Sequence, residues 1–349
     1  MTAPDRPHPA GQSQGDTQPP APQAAPVAYD LFNGDADGLC ALHQLRTVQP
    51  RDAVLLSGTK RDIALFDQLP QGRPLDVTAL DISWDRNAHS AIQVLEAGGR
   101  VTYFDHHAAQ TLVRHPRLQS HIDTSAQVCT SMLVDRHLKG AMHQWAIVAA
   151  YGDNLEAVAD QMARAHGCTA GTRGALAQLG YLLNYNAYGE STEDLHFHPT
   201  QLYRSLHRFE SPLDFIAKAY EYRRLLEGHA DDQRAVHDLQ PYASHPHACV
   251  YVLPDKPWAR RLCGSLANQL VAGHGGQSVA VLTPRSDGHF LVNLRMGSAS
   301  TRRADLFCSR YPAGGGRHAA GGIDRLPPGD VDHFIQDLFQ HLQEQEHAA

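Results

Sequence analysis

The residues best equipped for chemistry in this 349-residue chain are aspartates and histidines set in short clusters. Asp35 and Asp37 lie in Asn33-Gly34-Asp35-Ala36-Asp37-Gly38, and Asp81 follows Leu80. Asp105-His106-His107 are consecutive, and Asp153 sits in Tyr151-Gly152-Asp153-Asn154. Carboxylates brought together repel one another unless cations neutralise them. A pair of divalent metal ions would do this well. Aspartate oxygens with one or two imidazoles suit Mn²⁺, with Mg²⁺ or Co²⁺ as alternatives. Zinc fits less well, because no thiolate or multi-histidine set accompanies the aspartates. Taken singly, each residue has an ordinary use: Asp37 before Gly38 could cap a helix, Asp81 could turn the chain after a strand, and Asp153-Asn154 could be a turn. Four acidic sites at successive element ends favour the joint reading.

The elements that must position these groups follow from the hydrophobic pattern. Val27–Phe32 is a first strand, and Leu39, Leu42 and Leu45 recur at helical spacing after it. Ala53–Leu56 is a second strand, followed by a helix near Asp62 to Leu69. Val77–Ser83 is a third strand, then a helix from Asn87 to Ala97 ended by Gly98-Gly99. Arg100–Phe104 is short, apolar and rich in β-formers, so it is a buried strand that delivers Asp105 at its end. Alternating strands and helices imply a parallel sheet with right-handed crossovers. Ligands bind at the carboxyl ends of strands in such sheets, where the first three acidic groups would converge. Residues 129–230 are mostly helical, with a polar loop around Asn184 to Pro199. Past residue 232 the pattern changes again: Cys249–Leu253, Ser278–Leu282 and His289–Leu294 are strands, with a helix near Arg260 to Ala272. The expected fold class is α/β. A parallel-sheet catalytic domain spans 27–230, a linker 231–238, and a smaller α/β substrate-binding domain 239–349.

Composition narrows the function classes. Residues 1–26, rich in Pro, Gln, Ala and Gly, are expected to be a disordered tail without the apolar centre of a secretory signal. A formal net charge of −7 argues against a surface that coats long duplex DNA. No apolar run approaches the length of a membrane span. The six cysteines are scattered without a CxxC pair, as expected of reduced thiols in a cytoplasmic protein.

In their order along the chain, Asp35-Ala36-Asp37-Gly38, Asp81, Asp105-His106-His107, Thr130-Ser131 and Asp153 resemble the motifs of the DHH phosphoesterase superfamily. That superfamily includes RecJ-type exonucleases, nanoRNases and cyclic-dinucleotide phosphodiesterases. Gly314-Gly315-Gly316-Arg317-His318-Ala319-Ala320-Gly321 resembles the glycine-rich signature of the DHH-associated domain, and Asn293-Leu294-Arg295 its phosphate-binding strand. The resemblance implies two Mn²⁺ ions, one held by Asp35 and Asp81 and the other by Asp37, Asp81, His106 and Asp153. Asp105 would orient the histidines, and His107 would contact the scissile phosphate or protonate the leaving group. Such an ion pair activates water and stabilises both attacking and leaving oxygens. Two departures stand out. RecJ-type members carry an aspartate where this chain has Asn33, and nanoRNases usually carry a histidine upstream, where Leu31-Phe32 offer none. The first ion is therefore expected to be bound more weakly.

At the other end, three glycines bring backbone N–H groups close to an anion. Arg317 and His318 add charge there, and Arg295 offers a bidentate fork to phosphate. The histidine that usually follows the glycines is displaced here by Arg317. Arg260-Arg261 and Arg302-Arg303 are expected to be solvated surface pairs, and His196-Phe197-His198 to be structural. Tyr185 and Tyr188 could stack on bases. The implied activity is hydrolysis of phosphodiester bonds in short oligonucleotides or small nucleotides. The alternatives are a 3′-phosphoadenosine 5′-phosphate phosphatase, a cyclic-dinucleotide phosphodiesterase, or a nucleotide-binding protein with a degenerate site. The sequence leaves the oligomeric state open.

Overall fold

Val27–Phe32 is buried for its last four residues because it lies between two parallel neighbours, which is why it is apolar rather than alternating, apart from Asp30, whose charge is met by Arg46. In the computed structural model, which describes residues 26–343, this strand (β1) leads into α1 (Ala36–Val48), β2 (Val54–Leu56) and β3 (Leu75–Leu80). Then come α2 (Trp84–Glu96), β4 (Arg100–Asp105) and β5 (Leu118–Ile122). The sheet is wholly parallel, in the order β2-β1-β3-β4-β5. The tail expected over residues 1–26 falls, Pro26 apart, outside the described residues.

Two local expectations change. The helix expected near Asp62 to Leu69 is a single 3-10 turn, Leu65–Gln68; Pro70 forces Leu69 into an extended conformation and stops it. Strand β5 is additional to the expected ones. Its sequence, Leu-Gln-Ser-His-Ile, has neither an apolar run nor a clean alternation, because it is the exposed edge of the sheet.

A helical layer follows: α3 (Thr130–His137), α4 (His143–Gly152), α5 (Glu156–Ala165), α6 (Ala170–Tyr185), α7 (Pro199–Leu206), α8 (Pro212–Lys218) and α9 (Tyr220–His237). Its centre is α4, buried from Trp145 to Gly152 and packed on α1 and α6. Gly180 of α6 lets the backbones of α4 and α6 approach; a Cβ there would lie 2.3 Å from the Val148 carbonyl oxygen. Residues 231–238, expected as a linker, are almost wholly the last turns of α9. Buried Asp232 holds them in place through its ion pair with Arg261.

The second sheet is mixed, in the order β10-β11-β9-β8-β7-β6. Its strands are β6 (Ala243–His245), β7 (Ala248–Val252), β8 (Ser278–Pro284), β9 (Phe290–Arg295), β10 (Gly314–Arg317) and β11 (Ala320–Leu326). Side chains alternate between its faces. Tyr251, Val279 and Val281 pack on α10 (Pro257–Gly273), and Val250, Ala280 and Leu282 on α11 (Ala304–Cys308) and α12 (Val331–Gln343). The glycine-rich stretch is thus one arm of an antiparallel hairpin, Gly314–Arg317 on Ala320–Ile323. None of the six cysteines forms a disulfide. Among the described residues no helix is long and apolar enough to cross a membrane.

One core residue makes stability pH-dependent. His43 on α1 is fully buried against Trp145 and His207. Burial first, and the charge of His207 second, pull its pKa down to about 3. The unfolded chain takes up this proton near pH 6.5 and the folded chain does not. Stability is therefore complete above pH 6.5 and falls as pH drops toward 3, by about 2 kcal/mol at pH 5. In urea titrations, His43→Leu should lose that much less stability than wild type between pH 7 and pH 5. An unchanged difference would assign the acid sensitivity elsewhere.

Candidate active site

The site begins where β1 ends. Asp35 caps α1: its Oδ1 accepts hydrogen bonds from the backbone N–H groups of Asp37 (3.0 Å) and Gly38 (3.1 Å). The cap is therefore Asp35 rather than Asp37. Gly38 is needed because a Cβ there would sit 2.2 Å from the Asn33 carbonyl oxygen. Asp37, freed from capping, points its carboxylate at the start of α3. There it accepts from the backbone N–H groups of Thr130 and Ser131, each at 2.7 Å. A helix N-terminus is a natural seat for an anion, and this is what the Thr130-Ser131 pair supplies.

Neighbouring strands add the rest. Asp81 follows β3 and takes a left-handed backbone (φ 61°), while its N–H bonds the Phe104 carbonyl at 3.0 Å. Its Oδ1 accepts from Thr130 Oγ1 at 3.1 Å. Strain of this kind in a non-glycine residue gathers at functional sites. Asp105 ends β4 and is fully buried. Its Oδ1 binds the His106 N–H at 2.9 Å and His107 Nδ1 at 2.7 Å, and its Oδ2 has no partner. His106 Nδ1 lies 3.0 Å from the Val128 carbonyl, which fixes the proton there and leaves Nε2 as a ligand. That Nε2 lies 3.4 Å from Asp81 Oδ1 and 3.8 Å from Asp153 Oδ2, the latter at the C-terminus of α4.

Electrostatics mark the cluster as short of positive charge. Burial first, and then the carboxylates of Asp37, Asp35 and Asp153, push the Asp81 pKa well above its ordinary value. Burial with Asp37 and Asp35 pushes Asp153 up to about 7. The exception is Asp35, held below the usual range by Lys60 despite its burial. Ligand atoms of Asp37, His106 and Asp153 lie within 4.8 Å of one another, and so do those of Asp81, His106 and His107. This donor set fits a hard divalent cation, which would relieve the repulsion. The cavity outside it has a volume of about 340 Å³ and is lined by Asn33, Asp35, Lys60, Asp81, His106, His107 and Asp153 with Arg61 and Ile63.

Comparison with known proteins shows which folds the chain resembles. No family model and no curated protein sequence matches the chain. Among solved structures, a DHH-domain protein described as belonging to a family of ribosomal proteins superposes with a TM-score of 0.56. It shares 13% identity over 89% of this chain and 85% of its own. RecJ from Thermus thermophilus, in complex with Mn²⁺, gives 0.54 at 14% identity over 91% of this chain. A pGpG-specific phosphodiesterase from Vibrio cholerae gives 0.50 at 13% identity, over 92% of this chain and 99% of its own. The chain has the fold of these DHH-domain structures. It spans about half of the RecJ chain (52%).

Within this DHH fold, Asp35, Asp37, Asp81, Asp105, His106, His107 and Asp153 come together at one sheet edge. The second group does not line the same cavity. Arg295 lies on β9, with its Nε directed at Asn268 and its Nη1 at the Leu294 carbonyl (3.0 Å). Gly314, Gly315, Gly316 and Arg317 form β10, and His318 lies in the turn after it. Arg260 and Arg261 are not a solvated pair. Arg260 makes a two-pronged bond to Asp194 (2.8 and 2.9 Å) and Arg261 one to Asp232 (both 2.8 Å), tying α10 to the helical layer. Arg303 pairs with Asp305. His196 Nε2 meets Tyr185 Oη at 2.8 Å, and His198 caps α7, as structural residues would. Of the two tyrosines, Tyr185 is buried between the units, and Tyr188 lines a second cavity of about 170 Å³ between them, with Arg61, Arg260 and Arg285.

Sequence reasoning missed Lys60. Its Nζ lies 2.5 Å from Asp35 Oδ2 and 3.1 Å from Asn184 Oδ1, and 5.8 Å from the Tyr188 ring centroid. The signal was available: Ser57-Gly58-Thr59-Lys60 follows β2, the strand beside β1, and residues after parallel strands share one sheet edge.

Proposed function

We propose that the protein is a divalent-metal-dependent phosphoesterase that hydrolyses short oligonucleotides or small nucleotides. The observation that carries this reading is the convergence of buried, charge-starved aspartates and an oriented His106 on one cavity. RecJ was solved with Mn²⁺ and another DHH-fold neighbour is a pGpG-specific phosphodiesterase, which supports Mn²⁺ and a nucleotide substrate here. When bound, the cation lowers the pKa of water and polarises the phosphoryl oxygens.

The chain's own residues do the rest. Asp37, Asp81, His106 and Asp153 would hold the cation. Asp105, buried and short of one partner, fixes the His107 ring through Nδ1. The same hydrogen bond to Asp105 raises the His107 pKa despite partial burial, favouring the protonated ring. His107 then has a proton to give to the leaving oxygen as the P–O bond breaks. In the cavity between the units Arg260 and Arg285 are held by carboxylates, so half-exposed Arg61 is proposed to meet the remaining phosphates, and Arg295 and the Gly314–His318 hairpin to contact the substrate beyond it. A formal net charge of −7 disfavours long duplex DNA and so favours short substrates.

The test is a substrate panel: dinucleotides, five-mers, 3′-phosphoadenosine 5′-phosphate, cyclic dinucleotides and long duplex DNA, each with Mn²⁺ and with a chelator. The expected result is Mn²⁺-dependent turnover of one or more of the short substrates and none of the duplex. Binding without turnover across the panel would identify a nucleotide-binding protein instead.

A further inference from the structure

Asp35 is the one aspartate lining the cavity that is already fully partnered by the protein. Its Oδ1 accepts two backbone hydrogen bonds at the start of α1, and its Oδ2 receives Lys60 Nζ at 2.5 Å. Neither group of converging ligand atoms includes it. Lys60 is not a surface side chain that has swung inward. Its backbone N–H bonds the Ala187 carbonyl at 2.8 Å, its Nζ bonds Asn184 Oδ1 at 3.1 Å, and its side chain is three-quarters buried. Asn33, beside it, contributes no negative charge. Its Oδ1 accepts the Asp35 N–H at 3.3 Å, and its Nδ2 points at the Lys60 carbonyl at 3.5 Å. A metal ion there would meet an ammonium in its place and a neutral amide beside it. Both changes remove attraction for a cation, and the ammonium adds like-charge repulsion.

We infer that Lys60 takes the place of one metal ion, so that the chain holds a single divalent cation at Asp37, Asp81, His106 and Asp153, with Asp35 neutralised by the protein itself. This departs from the pair of ions that the family resemblance implies. It rests on the reading that the cluster binds a divalent metal. The ammonium cannot exchange with solvent or be chelated. One of the three compensating positive charges is therefore built into the chain, and the site keeps one exchangeable ion.

The experiment is metal counting on the full chain. Protein saturated with Mn²⁺, freed of excess ion and analysed by elemental mass spectrometry should hold close to one Mn²⁺ per chain. The double variant Asn33→Asp, Lys60→Met restores a carboxylate and removes the ammonium, and should hold close to two. Lys60→Arg keeps the charge and should hold one. Anomalous scattering from wild-type crystals grown with Mn²⁺ should give one peak, among Asp37, Asp81, His106 and Asp153, and none beside Asp35. This map decides the matter even if the double variant fails to fold. Two ions in the wild-type chain, a peak beside Asp35, or a folded double variant that still holds one would overturn the inference. No bound Mn²⁺ in the wild-type chain would instead overturn the metal-site reading beneath it, and the inference with it.

Discussion

Asp81→Asn is expected to abolish Mn²⁺ binding and activity together. Asp81 has its charged form strongly disfavoured, because it is buried and faces Asp37, Asp35 and Asp153. Only a cation makes that charge tolerable, so the residue is costly without metal and indispensable with it. Asparagine is the right replacement because position 81 has φ 61°, a left-handed backbone that Asn accepts far better than Ala. Its amide also keeps an oxygen for Thr130 Oγ1, so the fold should persist. Turnover should fall at least on the order of 10²–10³-fold, the scale of losing one electrostatic stabiliser. A thermal melt gives a readout independent of activity. A ligand that binds only the folded state stabilises it, so Mn²⁺ should raise the wild-type Tm and leave that of Asp81→Asn unchanged. Mn²⁺ binding by the variant as tight as wild type would remove Asp81 from the site.

The outcome turns on what the sequence pattern could and could not carry. β1, β3 and β4 were legible because they are buried over most of their length and so are written as largely apolar runs, each followed or closed by an acidic residue. Their convergence followed from parallel pairing alone, and the observed order, with β3 between β1 and β4, puts Asp35, Asp81 and Asp105 at or just past the ends of adjacent strands. β5 was illegible because an exposed edge strand needs no such pattern. The roles within the Asp35–Asp37 pair were illegible too. Which aspartate caps α1 depends on α3 arriving 93 residues later to receive Asp37. Arg260 and Arg261 looked solvated because their partners, Asp194 and Asp232, are 66 and 29 residues away. Lys60 is the instructive omission. Reading for metal ligands selects acids and imidazoles, and so passes over a cation that does part of the metal's electrostatic work.

His107→Ala should separate proton donation from substrate holding. The ring is oriented by fully buried Asp105 and lines the cavity, and the Asp37, His106 and Asp153 ligand atoms converge without it. The variant should therefore keep its Mn²⁺ and lose kcat on nucleotide substrates by about 10²- to 10⁴-fold, the usual worth of a positioned acid. Asp105→Asn, which loosens the ring without removing it, should cost about 10- to 100-fold. A p-nitrophenolate leaving group needs no proton, so bis-p-nitrophenyl phosphate should be hydrolysed by His107→Ala with a much smaller loss. Arg295→Ala provides the contrast. Losing one charge-assisted phosphate contact costs about 1.5–3 kcal/mol, and for a contact remote from the breaking bond the loss should fall on KM, with kcat on the generic ester unchanged. The two variants thus spare the same small ester for different reasons, and the division between kcat and KM on the nucleotide distinguishes them. Equal losses for His107→Ala on both substrates would mean that the imidazole holds the phosphate rather than protonating the leaving oxygen. A fall in Mn²⁺ content would mean that it is a ligand.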